Sequence, residues 1–279
     1  MKIYEVLPEF LDDTILKLKK FQRVEINNQR YYLDPESNKI KSSVTTVIHN
    51  TMPTSPFLLK WYADLGMEKA KQIMQDKADY GTIMHIFYTK WLLTKEINFS
   101  EDLVQACFSA NIDVNKIDVL TLKKDCLSFI KFCQEKNVKP IAVEYPVMNN
   151  NFAGTIDLIC ELDFNRSRVV AIIDYKSGKN GFYDSYKVQL HAYKQLLADN
   201  DFNVDMVFNF APKDWQFKSG ASYSLENQSD EKWSKMWNLY SELYLLQQDK
   251  KEVVNYNIAD VINETNLENC ITNEIFEVA

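Results

Sequence analysis

The sequence predicts an α/β protein in which helices flank a central mixed β-sheet, with an N-terminal helical annex over one side of it. Two observations indicate this class. Helical periodicity dominates residues 56–136, whereas the pattern becomes extended after Pro140 for three successive segments. A helical segment then precedes a further apolar strand, so a helix crossover is expected to return the chain to the same sheet.

We expect one domain, because 279 residues with 46% hydrophobic and 25% charged content suit an ordinary globular core. Only 6 Gly and 7 Pro leave little room for linkers. The expected division is an N-terminal extension (1–42), a mostly helical part (43–136), a sheet with helices that carries the functional groups (137–248) and a C-terminal tail (249–279).

Composition also limits the location and the partners. No stretch approaches the roughly 18 apolar residues of a membrane span. The N-terminus runs into Glu9, Asp12 and Asp13 instead of an apolar signal segment, so we expect a cytoplasmic protein. Five cysteines without a Cys-x-x-Cys pair predict free thiols. The net charge of −7 disfavours unspecific nucleic-acid binding, although a local basic face can coexist with it.

Turn and capping signals predict the first elements. A short helix is expected before a hairpin whose strands, 24–26 and 30–33, flank Asn27-Asn28. Residues 42–46 are rich in hydroxyl groups, which suit a helix start.

Two helical stretches follow before Pro140. The first covers residues 56–94, with interruptions predicted near Gly66 and Gly81. The second covers 116–136, and its apolar residues near one face are Leu120, Leu127, Ile130 and Cys133.

Three strands are predicted over residues 141–148, 153–162 and 169–175. Their short polar loops indicate an antiparallel meander. The remaining predicted elements are a helix over 183–198, a strand over 204–211 and a helix over 229–248, while the tail after residue 249 has weak signals for a short strand or helix.

Ionisable residues occur where the second and third strands of the meander are expected to meet. Gly154-Thr155-Ile156-Asp157 lies on one strand, and Asp174-Tyr175-Lys176 ends the next. Alternation puts Asp174 and Lys176 on one face and leaves the Tyr175 carbonyl free for a cation. Two carboxylates suit a hard cation such as Mg²⁺ or Mn²⁺, which would serve phosphodiester hydrolysis. The alternative is a salt bridge between strand-end residues.

The helix that follows carries two polar faces. Tyr186, Gln189 and Tyr193 share one face, and a neighbouring basic face consists of Lys187, His191 and Lys194. Gln189 could hold Lys176 or a phosphate, or it could make an ordinary buried amide hydrogen bond. Lys187 and Lys194 could follow a nucleic-acid backbone, or they could be solvated surface.

These residues resemble the RecB-type branch of the PD-(D/E)xK nuclease superfamily. The resemblance is carried by the order and spacing of three blocks, which are Gly154-Thr155-Ile156-Asp157, Asp174-Tyr175-Lys176-Ser177-Gly178 and Gln189-x-x-x-Tyr193. Other segments are similar to mitochondrial genome-maintenance exonucleases and their bacterial and phage relatives, namely Ser43-Val44-Thr45-Thr46-Val47, Thr51-Met52-Pro53, Trp61 and Gly81-Thr82-Ile83-Met84-His85. The resemblance covers about residues 43–197 and implies a restriction-endonuclease-like core.

The resemblance implies a role for each matching residue. Asp157, Asp174 and the Tyr175 carbonyl would bind Mg²⁺ or Mn²⁺, and His85 would complete the shell. From the sequence alone, a lone histidine such as His85 on an apolar helix is more often a core residue, and the resemblance reverses that preference. Lys176 would position or activate the attacking water, with support from Gln189 and Tyr193. Glu144 would be a further metal ligand or an ordinary edge-strand charge.

The resemblance also implies the activity, a metal-dependent DNA exonuclease in replication, recombination or repair. Single-stranded DNA or DNA with free ends is the expected substrate, and a recombination or single-strand-binding protein is a candidate partner. Ser43, Thr45 and Trp61 could bind phosphate or stack a base, or else serve capping and core packing. No phosphate-binding Gly-x-x-x-x-Gly-Lys loop is present, so no ATP hydrolysis is expected, and the cysteine pattern predicts no iron–sulfur cluster.

Three alternatives remain open at this stage. A sequence-tolerant endonuclease would share the chemistry. A non-catalytic DNA-binding subunit would share the fold but has no need of Asp157, Asp174 and Lys176 together. A DNA-mimicking protein would suit the acidic charge but leaves the three ordered blocks without a purpose.

Overall fold

The computed structural model describes residues 22–26, 29–178, 181–248, 252–258 and 271–278. One eight-stranded sheet forms the centre of this described part of the chain. Its strands are β1 (Gln22–Ile26), β2 (Gln29–Leu33), β3 (Ile40–Ser43), β4 (Lys139–Met148), β5 (Phe152–Phe164), β6 (Ser167–Tyr175), β7 (Met206–Pro212) and β8 (Tyr223–Asn227). A separate antiparallel pair consists of β9 (Glu252–Ile258) and β10 (Ile271–Glu277).

The sheet is mixed, as predicted. Its strands follow the order β1-β2-β3-β5-β6-β7-β8, and β4 pairs with β5. β4, β5 and β6 form the expected antiparallel meander. β6 and β7 are parallel, because a helix crosses over between them. β3 also lies parallel to β5, through Ser42 and Ser43.

Helices cover both faces of the sheet. The helices within the described residues are α1 (Val44–Thr51), α2 (Pro56–Leu65), α3 (Met67–Thr94), α4 (Phe99–Ala110), α5 (Val119–Glu135), α6 (Asp184–Ala198) and α7 (Glu231–Gln247). On one face, α3, α4 and α5 bury a core that includes Phe87, Phe129 and Phe210. On the other face, α1, α6 and α7 bury Val47, Val188 and Trp233. The two cores hold the sheet between two helical layers.

Capping and turn chemistry explain several boundaries. Ser43 caps α1, since its hydroxyl oxygen accepts a hydrogen bond from the Thr46 N–H. Ser55 caps α2 in the same way, and Pro56 follows at the first helical position. Gly66 has φ of 81°, which explains the predicted break between α2 and α3.

The prediction of a second break near Gly81 was wrong, because α3 runs through that position. A side chain there would lie 3.6 Å from Ser177 Oγ, so glycine brings α3 close to the segment after β6. The predicted apolar face of α5 was wrong at Leu120 and Leu127, which are exposed, but it included Cys133, which is buried. The buried stripe is instead Leu122, Cys126, Phe129, Phe132 and Cys133.

Three elements were not predicted, namely β3, α4 and β8. The predicted N-terminal helix falls within residues 1–21 and lies outside the described residues. Among the residues described, no helix has the length and apolarity that crossing a membrane requires.

Candidate metal and catalytic centre

The candidate centre lies where β5 and β6 separate. Their ladder ends at the pair Leu158 and Ile173, one residue before Asp157 and Asp174 would face each other. The Tyr175 N–H therefore donates to Asp157 Oδ2 instead, at 2.7 Å. The loss of strand pairing leaves the Asp157 carboxylate at this opening, whereas both oxygens of the Asp174 carboxylate bind Lys176 or Asn209.

Three ligand-type side chains converge there from three elements, His85 on α3, Glu144 on β4 and Asp157 on β5. His85 Nδ1 lies 3.5 Å from Glu144 Oε1 and 3.6 Å from Asp157 Oδ1. These distances are longer than good hydrogen bonds, and one ligand atom from each residue lies within 4.8 Å of the others. The His85 ring packs edge-on against Tyr175, with centroids 5.3 Å apart, which fixes its orientation.

Glu144 carries two features that ordinary strand residues avoid. Its φ is 46°, a left-handed value that is rare for glutamate and interrupts β4 opposite Asp157. Its Oε1 is buried without a hydrogen-bond partner. A buried, unsatisfied carboxylate oxygen is unfavourable unless a cation or a donor reaches it. The same geometry therefore fits a ligand oxygen.

The charges of the cluster fit a cation as well. Burial raises the pKa of Asp157, although His85 opposes that shift, and burial raises the pKa of Asp174 to about 6. Burial disfavours the charged form of His85, but Asp157 and Glu144 bring its pKa to about 9. A divalent ion would displace the His85 proton, and the freed imidazole nitrogen together with the two carboxylates forms a donor set that suits Mg²⁺, Mn²⁺ or a related divalent ion.

Lys176 lies beside this cluster on the face of β6 that packs against α6. Its Nζ is 2.8 Å from Asp174 Oδ2 and 3.3 Å from Gln189 Oε1, and it lies 4.3 Å from the centroid of the Tyr186 ring. Burial opposes its charge, yet Asp174 and Asp157 raise the Lys176 pKa above its ordinary value. Lys176 is therefore a protonated amine held in one position.

Gln189 and Tyr193 extend this arrangement. Gln189 Nε2 donates to Tyr193 Oη at 2.9 Å, so the amide is oriented with its oxygen towards Lys176. The Tyr193 ring lies against Gly154, where a Cβ would be only 2.5 Å from a ring carbon. The glycine of the Gly154–Asp157 block is thus required by the packing of α6 on β5.

Asn209 is a site residue that the sequence reading missed. It is completely buried on β7 beside Asp174, and its Nδ2 donates to Asp174 Oδ2 at 2.7 Å. Its own Oδ1 has no hydrogen-bond partner. An asparagine between Phe208 and Phe210 in an apolar strand was the available signal, because buried amides need partners.

The predicted nucleic-acid contacts are placed less favourably. Ser43 is 1% exposed and caps α1, so the capping alternative explains its hydroxyl. Thr45 is partly exposed and lies beside it, with the two hydroxyl oxygens 2.9 Å apart. Trp61 is on α2, a helix with no buried residue, and packs edge-on against Tyr62.

The predicted basic face of α6 is largely neutralised by its neighbours. Lys187 pairs with Asp184 at 2.9 Å, and Lys194 donates to the Asp205 carbonyl at 3.5 Å. Asp205 precedes β7, so Lys194 lies towards the end of the strand away from Asp174. His191 is buried against the Gln228 carbonyl, and burial lowers its pKa, so the expectation that it adds positive charge was wrong.

A comparison with known families gives the class of protein. Residues 49–266 match the PD-(D/E)XK nuclease superfamily, which is most of the chain and includes every strand of the candidate centre. The chain belongs to this superfamily, whose members generally hydrolyse nucleic acids with the help of divalent metal ions. The mixed sheet with helices on both faces is consistent with its restriction-endonuclease-like fold. A comparison with curated proteins gives no match.

Proposed function

We propose that this nuclease is a DNA exonuclease of the RecB-like branch, acting on single-stranded DNA or on DNA with free ends in replication, recombination or repair. The observation that carries the proposal is the convergence of His85, Glu144 and Asp157 next to the Asp174–Lys176 pair. From this convergence we infer a single domain with one hydrolytic centre.

His85, Glu144 and Asp157 would hold the divalent ion in this proposal. Asp174 and the Tyr175 carbonyl, at the end of the adjacent strand, would add oxygen ligands. When bound, Mg²⁺ or Mn²⁺ supplies Lewis-acid polarisation of a phosphate oxygen and lowers the pKa of a bound water. The protein contributes the fixed positions of these donors on four different elements, α3, β4, β5 and β6.

Lys176 would bind the water or the scissile phosphate as a cation. Its raised pKa makes it a poor base, so we assign it to orienting the nucleophile and offsetting negative charge in the transition state. Gln189 would hold the amine, and Tyr193 would hold Gln189. Asn209 would orient Asp174 from its other side.

The competing functions differ in what they require. A non-catalytic subunit has no use for a strained Glu144 and a buried Lys176 in one opening. An endonuclease would use the same chemistry, and the absence of a helix-turn-helix or zinc-finger motif in the sequence favours action without sequence specificity.

The test is digestion of three end-labelled substrates, linear single-stranded DNA, linear duplex and closed single-stranded circles, with Mg²⁺, Mn²⁺ or EDTA. We expect release of short products from the linear substrates, intact circles and no cleavage in EDTA. Cleaved circles would show an endonuclease. DNA that is bound but uncut in both metals would show a binding subunit, and DNA that is ignored would support a mimic.

A further inference from the structure

We propose that Phe217, at the tip of the loop between β7 and β8, stacks on a base of the DNA strand whose end lies in the candidate centre. The inference rests on the proposed function and adds a substrate contact outside the metal and lysine cluster. Four features of the loop lead to it, which are its exposed ring, its anchoring, its position and its charge.

The ring of Phe217 is 95% exposed. Burial of large apolar rings is favourable, so a fully exposed phenylalanine at a loop tip is available for contact with a partner. Phe108 on α4 is 89% exposed on a helix whose sequence contains no lysine, which gives a matched control residue.

The loop that carries Phe217 is anchored at both ends. Trp215 Nε1 donates to Ser128 Oγ at 3.1 Å on α5, and Lys124 and Lys131 donate to the carbonyls of Trp215 and Ala221 at 3.2 and 2.8 Å. The turn is closed by the Ser219 N–H, which donates to the Gln216 carbonyl at 2.9 Å. A preorganised loop presents the ring at low entropic cost on binding.

The loop leaves the sheet at the same end as the candidate centre. The Lys176 N–H donates to the Phe210 carbonyl at 2.8 Å, and β7 ends two residues later at Pro212. Six residues lie between Phe210 and Phe217, so the Cα atoms of these two residues are at most about 25 Å apart. A strand of several nucleotides spans this distance.

The charge around the ring suits a nucleic-acid strand. Lys213 and Lys218 are exposed on the loop, and Lys124 lies behind it. Only one acidic residue, Asp214, occurs within the loop, although the whole chain has a net charge of −7. An aromatic ring flanked by lysines is the combination with which proteins bind single strands without sequence preference. Stacking uses the face common to all bases, which fits an enzyme without a recognition module.

The experiment measures binding by the full-length Lys176→Ala variant, which should bind DNA while cutting it at least a hundredfold more slowly than the parent. In Mg²⁺ it is titrated into single-stranded oligonucleotides that carry 2-aminopurine at successive positions from one end. We expect the 2-aminopurine fluorescence to be quenched at one or two adjacent positions. When Phe217→Ala is combined with Lys176→Ala, the quench should disappear and DNA binding should weaken about tenfold. Phe217→Trp in the same background should keep the quench and the parental affinity. Phe108→Ala should change neither the quench nor the affinity.

Cleavage kinetics complete the test in the otherwise unaltered protein. Phe217→Ala should raise KM for single-stranded DNA about tenfold while kcat stays constant, because the contact is made equally in the ground and transition states. Unchanged KM and an unchanged quench would overturn the stacking role but leave the nuclease proposal intact. A parent protein that neither binds nor cuts DNA would overturn the stacking role and the nuclease proposal together. If the parent protein self-associates and Phe217→Ala does not, the ring contacts a second copy of the chain and the stacking role is overturned.

Discussion

Glu144 shows at the scale of one residue what the centre requires. A left-handed backbone at a residue other than glycine or asparagine costs on the order of 1–3 kcal/mol, and Glu144 Oε1 is buried with no hydrogen bond, although His85 Nδ1 lies 3.5 Å away. The rest of the fold must stabilise this arrangement when no ion is bound. Strain of this kind at a cluster of ligand-type side chains is typical of a functional position.

Replacement of Glu144 should separate stability from metal binding. Glu144→Asn tolerates positive φ, so we expect relief of backbone strain to raise the free energy of unfolding without metal by about 1 kcal/mol, offset in part by loss of the His85 contact at 3.5 Å. The same variant should bind Mn²⁺ at least tenfold more weakly. Denaturant titration in EDTA and isothermal titration with Mn²⁺ measure the two effects. Lower stability together with unchanged Mn²⁺ affinity would show that Glu144 is an ordinary strand residue.

Lys176 gives the clearest prediction for catalysis. Lys176→Met keeps the length of the side chain and removes the ammonium group, so we expect kcat to fall by about 10²–10³ with little change in far-UV circular dichroism. Lys235→Met on the exposed surface of α7 is the matched control and should retain wild-type rates. Cleavage by Lys176→Met at the parental rate would contradict the assignment.

Asn209 should act through Asp174. Asn209→Leu has a similar volume but removes the 2.7 Å hydrogen bond, so Asp174 loses one of its two donor residues. We expect kcat to fall about tenfold and the Mg²⁺ concentration for half-maximal rate to rise, with KM for DNA unchanged. Asn209→Ala should behave similarly in metal dependence and be less stable. A loss of stability without a shift in the metal dependence would show a purely structural residue.

At the scale of elements, the contact between α6 and β5 connects the blocks that carry the superfamily resemblance. Gly154 on β5 accommodates the Tyr193 ring, and Tyr193 positions Gln189 one helical turn earlier, next to Lys176. Three separated segments of the sequence are therefore one packing unit, which explains why their spacing is more informative than any one of them.

A double-mutant cycle tests this unit. Gly154→Ala places a Cβ about an ångström too close to a buried ring, and such overpacking costs about 1–3 kcal/mol. Tyr193→Leu removes the ring and should make the added methyl group nearly neutral in that background. Thermal and urea unfolding of the four proteins gives the coupling energy. Equal destabilisation by Gly154→Ala in both backgrounds would contradict the packing explanation.

The elements also show how far the sequence determines the structure. The meander β4–β6, the crossover helix α6 and β7 were predicted because period and turn signals agree there. β3 was missed because it is only four residues long and its last two, Ser42 and Ser43, belong to the segment read as the cap of α1. The buried face of α5 was wrong because leucines occur on both sides of the helix and tertiary packing selects one.

In the candidate site, too, the residues on locally recognisable elements could be predicted, and those that depend on tertiary packing could not. Asp157, Asp174 and Lys176 could be predicted from strand alternation and from the resemblance. Asn209 and the left-handed Glu144 could not, because their significance depends on which strand lies next to β6 and where β4 departs from regular pairing. Both are consequences of sheet order, and a single sequence does not reveal sheet order.

In the whole molecule, the two helical layers each contribute a side chain to the opening between β5 and β6. α3 brings His85 to the opening from one face of the sheet, and α6 brings Gln189 from the other face. The chain is acidic overall, so we infer that substrate affinity comes from local contacts near the opening and not from the net charge of −7.

The most direct measurement is the anomalous difference density of a crystal soaked with Mn²⁺. It should show a peak bounded by His85, Glu144 and Asp157, with Asp174 at its edge, and Asp157→Asn should remove that peak while the fold is unchanged. A Mn²⁺ peak elsewhere on the protein, or none at this cluster at saturating Mn²⁺, would contradict the assignment of these residues as the metal centre of the nuclease.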